Sequence, residues 1–316
     1  MEPSLEDIQA ARENVYRFLQ PTPLYRYSGL CDLVGAEVWV KHENHLPVGA
    51  FKVRGGLNYV AGMTAAQRQA GMFTASTGNH GQSIAYAARE FGVKATIAVP
   101  ERANPHKVAA MRGLGAEVVF HGADFDEARE WIQRRAKDKG GCFVGPTDTE
   151  LICGVGTYAL EILESLPDVE TIIVPVGAGS GACGVCVVAK SINPKIEVIA
   201  AQSAQAPANQ LSWAAGESLT AAVETFAEGV ATRVPFENTQ RIMREHLDDF
   251  VLVDDAEIRT AIRLHLEHTH NLAEGAGAVS LAAALKLRER LRNRKVVIVL
   301  SGGNLHVDHL KDVLST

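Results

Sequence analysis

The stretch GMFTASTGNHGQSIAYAAREFGVKATIAV, residues 71–99, carries the fold in its punctuation. Residues 71–75 are a short apolar run that reads as a strand. Residues 79–91 read as a helix, and 95–99 is a second strand-like run. The turn between the first strand and the helix, Ser76-Thr77-Gly78-Asn79, is rich in glycine and small polar residues. Working outward, the alternation continues, with a helix over 105–114, a strand over 117–120 and a helix over 124–137. Further along, 171–176, 196–201 and 296–300 are runs rich in Val and Ile with helical patterns between them. Strand–helix alternation at this spacing predicts an α/β fold with mostly parallel sheets.

Counting βα units divides the chain. Residues 57–147 hold enough compact units for a small domain, while 1–56 and 148–316 together make a larger one. No Pro/Gly/Ser linker marks the boundary, and the units show no close self-similarity.

The totals exclude several classes of protein. The chain has 316 residues, 47% apolar and 22% charged, an ordinary globular composition. Its formal net charge is -6 with no basic stripe, which argues against nucleic acid as a partner. The start, MEPSLEDIQAARENVYRFL, lacks the basic and apolar regions of a signal peptide, and no apolar run reaches the roughly 18 residues of a membrane helix. Five cysteines in such a chain read as reduced thiols in a cytoplasm. Cys183 and Cys186 form a C-x-x-C, but a zinc site needs a second such pair, so the two read as small residues inside a packed helix.

Three glycine-rich turns follow strands: 76–79, 177–181 and 301–304. Ligands in open α/β sheets bind beyond the carboxyl ends of strands, so all three can face one cleft. The GAGSGACG stretch, 177–184, brings backbone N–H groups and a helix start to an anion. It matches G-x-G-x-x-G, yet the next strand region ends in Gln202 instead of the acidic residue a dinucleotide ribose requires. A single phosphate is the better guest, and a plain tight turn is the alternative. The STGNHG stretch can hold a carboxylate or can simply cap its helix. Ser301 can present a hydroxyl to a ring nitrogen, or its segment can be only a glycine turn. Lys52 follows Phe51 and the largely apolar segment 46–50. An amine in such a pocket has its pKa lowered and becomes a nucleophile. Lysine, phosphate, carboxylate and ring-nitrogen partners are together the needs of pyridoxal 5′-phosphate.

These motifs, in order and over nearly the whole chain, resemble the fold-type-II pyridoxal-phosphate enzymes, in particular the threonine/serine dehydratase and serine racemase branch. PTPL (21–24), KHEN (41–44), GAFKVRG (49–55), STGNHGQSIAYAA (76–88), PVGAGSGACG (175–184), EGAGA (274–278) and SGGN (301–304) carry the resemblance. It implies a tryptophan-synthase-β-like fold: two open, mostly parallel twisted sheets flanked by helices, with a small mobile domain closing over the cofactor. Lys52 then forms the Schiff base and Phe51 packs on the ring. Asn79 meets the ring hydroxyl, Gly177, Ala178, Gly179, Ser180 and Gly181 cradle the phosphate, Glu274 lies at the cofactor, and Ser301 faces the pyridine nitrogen. Ser76, Thr77, Asn79 and His80 surround the substrate carboxylate. The implied reaction is β-elimination from a β-hydroxy amino acid such as L-threonine or L-serine, giving a 2-keto acid and ammonia, with Lys52 taking the α-proton. A homodimer is also implied. A neutral Ser301 leaves the ring a weak electron sink, which favours prompt elimination over transamination.

The sequence departs from that branch in places. The racemase-like members hold a divalent cation with carboxylates in the segment that here reads QSAQAPAN (202–209), which has none, so no magnesium or calcium is expected. Thr77 stands where racemase-like members have a catalytic serine and many dehydratases an alanine; it keeps the hydroxyl and adds a methyl. VGPTDTE (144–150) differs where the side-chain pocket is expected, which leaves phenylserine or 3-hydroxyaspartate open as substrates. HLEHTH (265–270) reads as a helix end and not as a metal site. Racemisation and β- or γ-replacement remain as alternatives; a non-catalytic binding protein is disfavoured by the intact Lys52.

Overall fold

The computed structural model describes residues 2–103 and 105–315. In chain order its strands are β1 (Leu24–Arg26), β2 (Glu37–His42), β3 (Met72–Ala75), β4 (Ala95–Val99), β5 (Glu117–Phe120), β6 (Cys142–Phe143), β7 (Thr171–Pro175), β8 (Glu197–Ser203), β9 (Asp249–Val253) and β10 (Lys295–Leu300). They form a six-stranded sheet ordered β1-β2-β10-β7-β8-β9 and a four-stranded sheet ordered β5-β4-β3-β6. Every pairing is parallel except β1 with β2. This is the α/β, two-sheet architecture the sequence implies.

The central strands are continuously apolar because both their faces are covered. In β10, Val297 and Val299 join a core with the helices Thr149–Ser165 and Ser180–Ile192. Val296, Ile298 and Leu300 enter a second core with the helix Gly275–Lys286 on the other face. The smaller sheet packs one face on the helices Lys52–Ala61 and Asn79–Glu90, through Met72, Ile97, Leu57 and Ile84. Its other face meets the helix Phe125–Lys139 through Phe73, Ala98, Ala128 and Ile132.

The larger sheet has a switch point. β7 and β10 are parallel neighbours. The chain leaves β7 into a helix on the first face, whose Cys183 and Val185 lie in that core, and leaves β10 towards a helix whose Val313 lies in the second. Loops departing to opposite faces open a crevice at the strand ends, where α/β sheets bind ligands.

Several boundaries differ from expectation by one or two residues, and two have a plain physical reason. The strand expected over 196–201 extends to Ser203 because β9 continues the ladder, pairing Leu252 with Gln202 and Val253 with Ser203. β9 itself is an edge strand with half-exposed side chains, which hides it in an apolar count. The helix expected over 124–137 begins one residue later, since Asp124 is its cap and accepts from the Glu127 N–H at 3.0 Å. No helix among the described residues is long and apolar enough to cross a membrane.

Candidate active site

Lys52 is placed by the end of β10. The Phe51 N–H donates to the Ser301 carbonyl at 3.0 Å, and Ala50 bridges Gly302, so the chain is pinned at the carboxyl end of this central strand before the helix begins at Lys52. The Lys52 amine is held inside the crevice, donating to Ser180 Oγ at 2.7 Å and to the Pro146 carbonyl at 3.4 Å. Loss of water pushes its pKa down to about 8.

Below Lys52 lies a group of charges that the sequence reading missed. Arg54, with no exposed surface, donates to both oxygens of Glu43 and both oxygens of Glu161. Lys41 Nζ bonds the same Glu161 at 2.5 Å and the Thr22 carbonyl at 2.7 Å. Two cations and two carboxylates balance, which is what makes their burial tolerable. Alternation along the end of β2 and the turn after it does the sorting. Lys41 and Glu43 face this group. His42 and Asn44 face the other way, where Asn44 Nδ2 donates to Asn271 Oδ1 at 3.1 Å beside the 301–304 turn. The KHEN stretch thereby holds the Lys52 helix through Glu43 and the segment ahead of Glu274 through Asn44.

The loop after β7 has its carbonyls tied back and its N–H groups free. The Gly177 carbonyl accepts from Asn209 Nδ2 at 2.9 Å, the Ala178 carbonyl from Thr239 Oγ1 at 2.8 Å, and the Gly181 carbonyl from the Tyr158 hydroxyl at 3.0 Å. Among the described residues, none of the N–H groups from Gly177 to Gly181 has a partner in the protein. Gly179 has φ +98, and a Cβ there would stand 2.8 Å from Thr239 Cβ. A Cβ at Gly177 would stand 2.0 Å from the Gly229 carbonyl oxygen. The following helix has no acidic residue in its first turn. Free donors at an uncompensated helix start suit an anion.

Across the crevice, the Ser76 hydroxyl accepts from the N–H groups of Gly78 (3.2 Å) and Gly81 (2.9 Å), so Ser76 caps the helix Asn79–Glu90. Asn79 and His80 begin that helix, and their N–H groups have no intrahelical carbonyl. The Asn79 side chain donates to Glu274 Oε1 at 2.6 Å and accepts from Asn304 Nδ2 at 2.8 Å. Burial pushes Glu274 up to about 7. The His80 ring points into the smaller sheet, with Nε2 3.0 Å from Thr74 Oγ1 and 3.2 Å from the Val144 carbonyl, and burial pushes its pKa down to about 3. What His80 offers the crevice is its main chain. The hydroxyls of Thr77 and Ser301 have no protein partner among the described residues, although Ser301 is only 4% exposed.

Residues 15–302 match the family model described as pyridoxal-phosphate dependent enzyme. The chain belongs to this family. It is 39% identical to the L-threonine ammonia-lyase of Thermotoga maritima over 99% of this chain and 78% of that one. It is 34% identical to the catabolic L-threonine dehydratase of Escherichia coli, over 98% of this chain and 95% of the other. Among solved structures it is similar to maize serine racemase, with a TM-score of 0.94 at 30% identity, covering 100% of this chain and 98% of that one.

The residues present fit the cofactor of this pyridoxal-phosphate-dependent family. The cradle of free N–H groups matches a phosphate, the unpartnered hydroxyl of the largely buried Ser301 matches a ring nitrogen, and Lys52 matches an aldehyde. The structure adds roles the sequence reading did not assign. Asn209, Thr239 and Tyr158 hold the cradle's carbonyls, Asn304 orients Asn79, and Asn238 Nδ2 holds the Thr147 carbonyl at 2.5 Å. Only the N of SGGN carried a sequence signal. The others lie tens of residues from what they hold, and nothing local marks them.

Proposed function

We propose that this chain is a pyridoxal-phosphate-dependent ammonia-lyase that converts a β-hydroxy amino acid, such as L-threonine or L-serine, to a 2-keto acid and ammonia. One observation carries the reading. The Lys52 amine sits beside Ser180 at the mouth of the phosphate-suited cradle, in a chain similar over its full length to L-threonine ammonia-lyases. When bound, the cofactor supplies the electron sink for charge left on the α-carbon. The chain's residues do the rest. Lys52 takes the α-proton; its desolvated amine is a better base near neutral pH than a surface lysine. The free N–H groups of Asn79 and His80, with the capped Ser76 turn, receive the substrate carboxylate. Gly177, Ala178, Gly179, Ser180 and Gly181 hold the phosphate, Phe51 the ring face, Asn79 and Glu274 the ring's polar edge, and Ser301 the ring nitrogen. Because Ser301 carries no negative charge, it does not enforce protonation of that nitrogen.

Residues 57–147 act as a small domain that closes over the larger one formed by 1–56 and 148–316. Two sources support this. The four-stranded sheet lies wholly within 57–147, and the ion pair of Lys107 with Glu228 spans the two parts. A cytoplasmic homodimer is the expected state, and sedimentation velocity measures it.

A keto-acid and ammonia assay over L- and D-β-hydroxy amino acids tests the activity. Turnover is expected with at least one L-substrate, lost in Lys52→Ala. Borohydride reduction followed by peptide mapping is expected to place the pyridoxyl label on Lys52, and a label elsewhere overturns the assignment. The unpartnered Thr77 hydroxyl favours one second reading, amino-acid racemisation, with Thr77 serving the opposite face of the α-carbon. Chiral analysis of recovered substrate, native against Thr77→Ala, separates the two.

A further inference from the structure

We infer that the Ser180 hydroxyl is a positioning group for Lys52, holding its amine at the crevice floor and keeping it able to exchange protons, in addition to any contact Ser180 makes with phosphate. The inference rests on the reading of Lys52 as the reacting amine. It arises from three observations. Ser180 Oγ accepts from Lys52 Nζ at 2.7 Å, the shorter of the amine's two hydrogen bonds. Ser180 is 1% exposed and is the first residue of its helix, so the hydroxyl cannot swing into water. Among the described residues no carboxylate bonds the amine, whose other contacts there are the Pro146 carbonyl and the face of Phe51, 5.2 Å to the ring centroid.

The physical consequence follows from those contacts. Burial disfavours the ammonium form of Lys52, and an acceptor aimed at the ammonium opposes that loss by a charge-assisted hydrogen bond. Without Ser180, only the longer bond to Pro146 remains, and the amine becomes both less basic and free to change rotamer. A general base works best with a pKa near the working pH, so drift below it weakens the amine as a proton carrier. The titratable groups that face Lys52 are His80 from the helix Asn79–Glu90 and Cys183 from the helix Ser180–Ile192. Burial keeps His80 neutral down to about 3 and pushes the Cys183 thiol well up, so neither changes charge between pH 6 and 9.

The experiment uses the full chain freed of cofactor and measures labelling of Lys52 by an amine-reactive acylating reagent as a function of pH, read by peptide mass spectrometry. In Ser180→Ala the labelling midpoint is expected to fall by about one pH unit, the size of one charge-assisted bond lost. Ser180→Thr, which keeps the hydroxyl, is expected to restore it. In the loaded enzyme, Ser180→Ala is expected to lower kcat about tenfold or more, with a smaller change in KM for the amino acid. An unchanged labelling midpoint in Ser180→Ala, or one that Thr fails to restore while circular dichroism shows a native fold, overturns the inference. Those outcomes leave the assignment of Lys52 intact, which stands or falls separately on the borohydride label.

Discussion

Single residues in this protein hold conformations that suit only glycine and charge states that burial sets. Gly179 sits at φ +98 directly against Thr239. Gly179→Ala is expected to cost about 1–3 kcal/mol of stability and to weaken cofactor retention; thermal melts with and without added pyridoxal phosphate measure both. Glu274 shows how burial and pH are linked. Its folded pKa of about 7 lies above the ordinary 4.5, so the folded state keeps a proton that the unfolded chain releases. That contribution is fully present below pH 4.5 and is lost as pH rises through 7. Glu274→Gln stays neutral, so its stability relative to the native protein is expected to improve from pH 5 to pH 8 in denaturant titrations. A constant difference across that range shows that the carboxyl is ionised throughout.

At the scale of elements, the Lys52 helix is fixed by close backbone packing and by buried charge. A Cβ at Gly154 would lie 2.5 Å from the Arg54 carbonyl oxygen and 2.9 Å from Gly55 Cα, so the helices Lys52–Ala61 and Thr149–Ser165 touch backbone to backbone. Gly154→Ala must push them apart, at about 1–3 kcal/mol, and shifts Lys52 with them. Glu161 answers both Arg54 and Lys41. Glu161→Ala leaves a buried cation unanswered and is expected to cost about 3–5 kcal/mol, read as a lowered urea midpoint with unchanged slope. Much of the site was legible at this scale, since the turns after β3, β7 and β10 announced themselves by glycine and small polar residues. The charge group was not legible. Lys41, Glu43 and Arg54 stand within the quoted motifs, but their partner Glu161 lies 107 residues beyond Arg54.

For the whole molecule, acid lability follows from buried histidines. Burial pushes His42 down to about 4 and His80 and His265 down to about 3, all from an ordinary 6.5. Folded pKa values depressed below the unfolded ones mean stability that is present above pH 6.5 and lost as pH falls towards 4 and 3. Glu274 and Asp148, raised to about 7 and about 6, act in the opposite sense until both are protonated in either state. The melting temperature is therefore expected to fall gently from pH 6.5 to 4.5 and steeply below. His265 is fully buried, and neither ring nitrogen has a partner among the described residues. His265→Leu removes that uncompensated burial and is expected to raise stability at pH 7 and flatten the acid limb. Between the proposed small and large domains, the pair of Lys107 and Glu228 is partly in solvent. Exposed pairs contribute up to about 1 kcal/mol, so Glu228→Gln is expected to raise KM no more than a few-fold.

The sequence by itself determined the α/β class, most strand and helix positions, the three glycine turns and the lysine among them. Those features are local: apolar periodicity and turn chemistry are written within a few residues of where they act. Tertiary structure alone decided which carbonyls of the cradle are tied back and by whom, that the His80 ring turns away from the crevice, that Ser180 holds Lys52, and that Arg54 is answered by Glu161. Each of these is a contact between side chains or backbones distant along the chain. Its geometry depends on how closely the helices and sheets approach, a property no window of sequence contains.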